Sequence, residues 1–158
     1  MNGSEAQHQG GRAMYKSTRT GFKSRTEAQN TRRHAWVCLG CQKLHTAKIK
    51  ACEECGGTDI HYFPSQAEVR RFGQLRMLER TGQIKKLELQ PSYEIYGKKS
   101  GLKLFEYRAD FRYIDSDGVE VVEDVKGTIN EKYLDPVFKL KRRAMKAELG
   151  IDIKLVKA

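Results

Sequence analysis

From Pro64 onward, apolar and polar positions fall into regular periods. Ser65-Gln66-Ala67-Glu68 has the form of a capping box, and the run behind it keeps a helical period to Thr81, where Gly82 stops it. Residues 84–90 and 92–96 alternate, residues 97–101 form a turn, and residues 102–114 read as one long alternating strand. Asp115-Ser116-Asp117-Gly118 turns the chain into a further strand over residues 119–126. After a loop over residues 127–134, Asp135 caps and Pro136 opens a helix that runs to Leu149, with Gly150 closing it. Residues 151–156 supply a last strand. Helix, a run of strands, helix and strand predict an α+β domain with an α/β core over residues 64–158.

The chain before Pro64 is different. Residues 1–33 hold seven Lys or Arg against two Glu among Gly, Ser, Thr, Gln and Asn. They read as a basic disordered arm, either a solubilising tail or a phosphate-contacting arm. All four cysteines fall within residues 34–63, as Cys38-x2-Cys41 and Cys52-x2-Cys55. Two residues between thiolates let both sulfurs of a tight knuckle face one tetrahedral Zn²⁺ at about 2.3 Å. Four ligands leave no open position, so the expected zinc is structural, in a ribbon with strands over residues 35–37 and 48–51. His34, His45 and His61 are at most spare ligands, and two disulfides would need an oxidising compartment for which the N-terminus carries no signal sequence.

The net charge of +10 favours a polyanionic partner. No apolar run reaches the roughly 18 residues of a membrane span, so a cytoplasmic protein with no membrane contact is expected. Helix residues Lys139, Arg142, Arg143 and Lys146 stand at i, i+3, i+4 and i+7 as a basic stripe, opposite an apolar face of Val137, Leu140, Ala144 and Ala147. The stripe is either a solvated face or a DNA-backbone contact.

The turn at Asp115 to Gly118 fixes which acids meet. A type I turn followed by a left-handed Gly bulge sets Asp110 opposite Asp124, and without the bulge Asp110 faces Glu123. Opposed carboxylates repel unless something such as a divalent cation bridges them. Lys126, two residues beyond Asp124, shares its face. Glu68 is the third residue of the capping box, yet it projects between Phe72 and Leu75 inside the apolar stripe, where a carboxylate needs a cation. Glu79, about 16 Å further along the axis, reads as a boundary charge. Gln90 is an edge residue or a polar contributor to the same cleft.

An acid on a strand, an acid-x-Lys on the partner strand and a Glu on the preceding helix make this sequence similar to the PD-(D/E)XK nuclease core, through Asp110, Asp124-Val125-Lys126 and Glu68. The Pro of that name is absent here. Leu89-Gln90-Pro91, Tyr107-Arg108-Ala109-Asp110-Phe111, Glu123-Asp124-Val125-Lys126-Gly127 and Gly150-Ile151-Asp152-Ile153 resemble small phage endonucleases of this superfamily, Holliday junction resolvases and transposase end-cleaving subunits. The resemblance covers residues 64–158. It implies a restriction-endonuclease-like mixed sheet flanked by helices and Mg²⁺ (or Mn²⁺) held by Asp110, Asp124, Glu68 and the Val125 carbonyl, with Lys126 positioning water or phosphate. It further implies a phage-encoded, dimeric enzyme in the host cytoplasm that cuts double-stranded or branched DNA. Apart from the resemblance, the ribbon, with three Lys against three acids, is the least basic segment, which favours docking on a phage or host protein over a DNA clamp. The rival expectation is a noncatalytic zinc-ribbon protein that binds DNA or serves transcription or assembly.

Overall fold

The computed structural model describes residues 34–97 and 99–158, and the arm expected over residues 1–33 lies outside them. Three short strands, β1 (Ala35–Cys38), β2 (Leu44–His45) and β3 (Ile60–Phe63), form an antiparallel sheet in the order β2-β1-β3. The strand expected over residues 48–51 is absent. That stretch runs straight into the second cysteine knuckle, which Cys52 and Gly57 close by the bonds Gly56 N–H to Cys52 O and Cys52 N–H to Gly57 O, both 2.8 Å. The place beside β1 goes to Ile60-His61-Tyr62-Phe63, rich in the aromatic and β-branched residues that suit a half-buried sheet.

Helix α1 (Gln66–Arg80) starts at the Ser65 cap and ends at Thr81, followed by Gly82 at φ 74°. Strands β4 (Lys85–Leu89) and β5 (Ser92–Tyr96) follow, then β6 (Lys103–Arg108), β7 (Phe111–Ile114) and β8 (Glu120–Lys126). Helix α2 (Pro136–Ala144) and strand β9 (Lys154–Lys157) complete the fold. The main sheet has the order β4-β7-β8-β9, antiparallel except for the parallel β8-β9 pair, while β5 and β6 form a separate two-stranded sheet. The fold is mixed α+β, as expected.

The single strand expected over residues 102–114 is two strands in two sheets. The break at Ala109-Asp110 lies across from Gln90-Pro91, where the neighbouring strand breaks as well. Gln90 holds a left-handed φ of 50° and Pro91 has no N–H for the ladder. Gln90 N–H bonds Asp110 O at 2.9 Å and Ala109 N–H bonds Pro91 O at 3.0 Å, so both strands bend together from one sheet into the other.

Two apolar clusters cover the two faces of the main sheet. Phe72 and Leu75 of α1 pack on Phe111 and Tyr113, joined by Val37 and Phe63 from the cysteine-bearing sheet. On the other face Phe138 and Met145 pack with Tyr107, Ile95, Val122 and Ile153. The apolar face expected for α2 is therefore corrected. Val137 is 60% and Leu140 66% exposed, and Ala147 is exposed too. The buried pair Phe138 and Met145 lies seven residues apart, with Lys141 between them setting its ammonium 5.6 Å from the Phe105 ring. Regular α-helix also ends early, at Ala144, and residues Met145–Leu149 form a wider π turn before Gly150 at φ 72°. Among the described residues, no helix is long and apolar enough to cross a membrane.

Candidate active site and metal-binding cysteines

The sulfurs of Cys38, Cys41, Cys52 and Cys55 all lie within 4.8 Å of one another. Cys38 to Cys55 is 3.6 Å and Cys41 to Cys52 is 3.5 Å. A tetrahedral ion bonded at about 2.3 Å holds its sulfurs about 3.8 Å apart, so these thiols fit a metal such as zinc. All four are free of disulfides. Of the expected spare ligands, His34 packs its ring on Trp36 and His61 packs on Phe63, while His45 stands outside the four-sulfur cluster but within hydrogen-bond reach of Cys52.

The second cluster grows from the β7-β8 hairpin. Gly118 adopts φ 80°, Gly118 N–H bonds Asp115 O, and Asp115 N–H bonds Val119 O, which makes the bulged turn. The pairs Ile114 with Glu120, Tyr113 with Val121, Arg112 with Val122 and Phe111 with Glu123 follow. Continuing that register by one residue sets Asp110 opposite Asp124, and Asp110 N–H reaches Glu123 O at 3.1 Å. The alternative pairing of Asp110 with Glu123 is excluded.

Asp124 is 3% exposed. It accepts from the buried Tyr107 hydroxyl on one oxygen and pairs with Lys126 Nζ on the other. Lys126 also sits 4.5 Å from the Phe138 ring centre, so the ion pair and the aromatic face hold it together. Asp110 Oδ2 accepts the Val125 N–H at 2.6 Å. Burial, and then the charge of Asp124, push the Asp110 carboxyl up to about 7, against the opposing pull of that N–H.

Glu68, 8% exposed, answers to both of its sequence readings. Ser65 Oγ accepts the Glu68 N–H at 3.2 Å and donates to Glu68 Oε1 at 2.8 Å, so the cap is real, although the carboxylate meets the hydroxyl where a capping box would use the Ser65 backbone N–H. Burial raises its proton affinity, the Ser65 bond lowers it, and the charge of Asp124 raises it again, which places Glu68 in the field of the same cluster. Three carboxylates thus face one lysine. Their oxygens do not converge as the sulfurs do, since the cysteines are the metal-type cluster found among the described residues.

Three residues were missed or left without a role by sequence reasoning. Tyr107 fixes Asp124, and only its position in an alternating strand hinted that it points inward. Arg108, exposed at the end of β6, lowers the proton affinity of Glu68 from the rim of the cluster. Glu123 is 0% exposed and lies on the opposite face of β8. It takes Arg71 Nε and Nη2 at 2.8 Å each, the Tyr113 hydroxyl at 2.6 Å and Lys154 Nζ at 3.0 Å. Gln90, left open between two roles, uses its amide on Tyr62 O at 3.4 Å and its N–H on Asp110 O. Glu79 is a boundary charge, accepting Arg76 at 2.6 Å and the Leu87 N–H at 3.0 Å.

The basic stripe of α2 lines a cleft with Lys132, Glu131 and Asp152. Arg142 is tied to Glu131 at 2.5 Å and Asp152 at 3.7 Å, and Lys146 to Asp152 at 2.7 Å. Lys139 and Arg143 make no ion pair among the described residues.

Fold and clusters together define an α+β protein with four cysteines that could hold a metal ion such as zinc and, on the face of a mixed sheet, an acid pair of one buried and one half-buried aspartate beside a lysine. The chain belongs to the family described as "Protein of unknown function (DUF1064)", whose model matches residues 54–156. That segment holds Glu68, Asp110, Asp124 and Lys126, and of the cysteines only Cys55. No curated protein matches the chain.

Proposed function

We propose that this protein is a metal-dependent DNA endonuclease of the PD-(D/E)XK type whose cysteines hold one structural Zn²⁺. The observation that carries the reading is the opposition of Asp110 and Asp124 across the bulged hairpin, with Lys126 on the same face and Glu68 buried beside them. Asp110, Asp124, Glu68 and the Val125 carbonyl are the residues to hold Mg²⁺ or Mn²⁺. Bound there, the ion supplies an activated water and neutralises charge on the phosphate and leaving oxygen. The chain's own groups set the stage for that chemistry. Tyr107 and the Val125 N–H fix the two aspartates in orientation. Lys126, held over Phe138, offers a donor to the attacking water or a phosphate oxygen. Lys139 and Arg143, free of carboxylate partners, and the rest of the α2 cleft suit a DNA backbone.

One observation favours the noncatalytic reading, a zinc-ribbon DNA-binding protein. Both oxygens of Asp124 are already engaged by Tyr107 and Lys126. Incubating the purified chain with Mg²⁺ and linear, nicked, flapped and four-way DNA decides between the two. Mg²⁺-dependent cleavage that Asp110→Ala abolishes, with DNA binding retained, is expected of the enzyme. Binding without cleavage of any of these substrates establishes the rival.

A further inference from the structure

The outer face of the cysteine-bearing sheet carries a group of side chains that the site described above does not use. Strands β1 and β3 pair Trp36 directly with Tyr62, while Val37 and Phe63 turn inward to the core. The two rings lie 5.2 Å apart at 57°, and His34 joins them at 5.0 Å from Trp36 and 5.8 Å from Tyr62. Alternation puts these side chains on the side of the sheet away from the core. Tyr62 is 44% exposed and His34 is exposed as well. Trp36, between them, is half-buried. Large aromatic rings are usually buried, so a cluster of this kind left partly open on an outward face marks a binding surface. The rings meet edge-on or tilted, at 88°, 57° and 40°, so none lies flat on another, and an edge-on contact covers at most one face of the ring it meets.

Two observations say what the face takes. Arg32 and Arg33 directly precede His34 in the sequence, so two cations stand next to a platform residue along the chain. Tyr62 is also wired to the acid cluster, because its carbonyl accepts the Gln90 amide and the Gln90 N–H bonds the carbonyl of Asp110. One residue spans the gap between the aromatic strand and a proposed metal ligand. Base pairs inside a duplex present no open π-face, whereas an unpaired nucleotide does. We propose that Trp36, Tyr62 and His34 form a stacking platform for unpaired DNA bases, which directs the chain to flapped or branched DNA with a single-stranded segment next to Asp110. The inference rests on the endonuclease reading for its cleavage consequence and stands apart from it for binding.

Trp36 is the only tryptophan of the chain, so its emission reports on the platform without a label. With Mg²⁺ withheld, oligothymidylate should quench Trp36 saturably, and a blunt duplex of equal length should quench it far less. Tyr62→Ala should weaken oligothymidylate binding at least about ten-fold, near the lower part of the range for one stacked base, and leave duplex affinity unchanged, while Tyr62→Phe should bind as the wild type does. If the wild type cuts DNA, Tyr62→Ala should lose its preference for flapped over linear substrate. Equal quenching by duplex and single strand, or a Tyr62→Ala chain of native circular dichroism with unchanged single-strand affinity, overturns the platform. So does Trp36 emission that changes with protein concentration, or on deletion of residues 1–33, in the absence of DNA, since a second copy or the arm then covers the face. Failure of every substrate to be cut, with quenching intact, removes the endonuclease reading and leaves this one.

Discussion

Glu123 and Asp124 are neighbours on β8, and their substitution should give opposite phenotypes. Glu123→Ala strips from Arg71, whose side chain is 17% exposed, its one carboxylate partner among the described residues, and takes the partner of the Tyr113 hydroxyl as well. Leaving one member of a buried ion pair uncompensated costs about 3–5 kcal/mol. Lys154 is 56% exposed and adds little. For a domain of this size that loss lowers the thermal midpoint by roughly 10–20 °C. Asp124→Asn keeps the shape beside Tyr107 and relieves repulsion with Asp110, so its midpoint should stay within about 3 °C of wild type while Mg²⁺-dependent cleavage is lost. Burial works against ionisation of Glu123, but the bonds from Arg71, Tyr113 and Lys154 outweigh it and hold the carboxyl below the usual range. Its stabilisation is therefore complete above the unfolded-state value, near about 4.3, and is lost as pH falls through the lower folded-state value. The gap between wild type and Glu123→Ala should be widest above about pH 5 and close in acid. Scanning calorimetry across pH with parallel cleavage assays checks both. A Glu123→Ala midpoint within about 3 °C of wild type at pH 7 refutes the division of roles.

Elemental analysis should find about one zinc per chain, and Cys52→Ser should lose it. Because Val37 and Phe63 share a core with Phe72 and Phe111, that variant should also melt lower by calorimetry rather than lose the ribbon alone. Lys139→Ala with Arg143→Ala should flatten the slope of log affinity against log salt by roughly 1.8, about 0.9 for each phosphate contact, without loss of fold by circular dichroism. An unchanged slope moves the DNA path off α2.

Both helix starts, the end of α1, the bulged turn and its register were legible because each depends on residues close in sequence: Ser65 with Glu68, Asp115 with Gly118. The break at Ala109-Asp110 was not. Alternation runs unbroken from Phe105 to Tyr113, straight through Ala109-Asp110, and the interruption is imposed from the partner strand by the backbone of Gln90 and Pro91. The buried face of α2 was hidden by Lys141, a charge midway between Phe138 and Met145 that breaks the apolar stripe on paper. In the fold Lys141 is half-buried, with its ammonium 5.6 Å from the centre of the Phe105 ring. Val137 and Leu140 fit the ideal period better and stay exposed. The pairing of Trp36 with Tyr62 likewise joins residues whose contact no local pattern encodes.

Charge balance on the two sides of β8 is what separates a structural acid from a site. On the α1 side one buried carboxylate, Glu123, meets Arg71, Lys154 and a tyrosine hydroxyl, and nothing further is needed to hold it charged. On the other face Asp110 and Asp124 share Lys126, and Glu68, in the first turn of α1, adds a third negative charge to the same field, with Arg108 at the rim. The imbalance appears in the acids themselves. Burial and mutual repulsion raise the proton affinities of Asp110 and Glu68, whereas that of Glu123 falls. A fold that needed these acids only for stability would gain by replacing one with an apolar or amide side chain, because uncompensated buried charge destabilises. Deficits of this kind cluster where a cation or a proton is to be bound. The same strand thus carries a neutralised acid and an acid in want of positive charge one residue apart, and the bulge at Gly118 decides which of them faces Asp110.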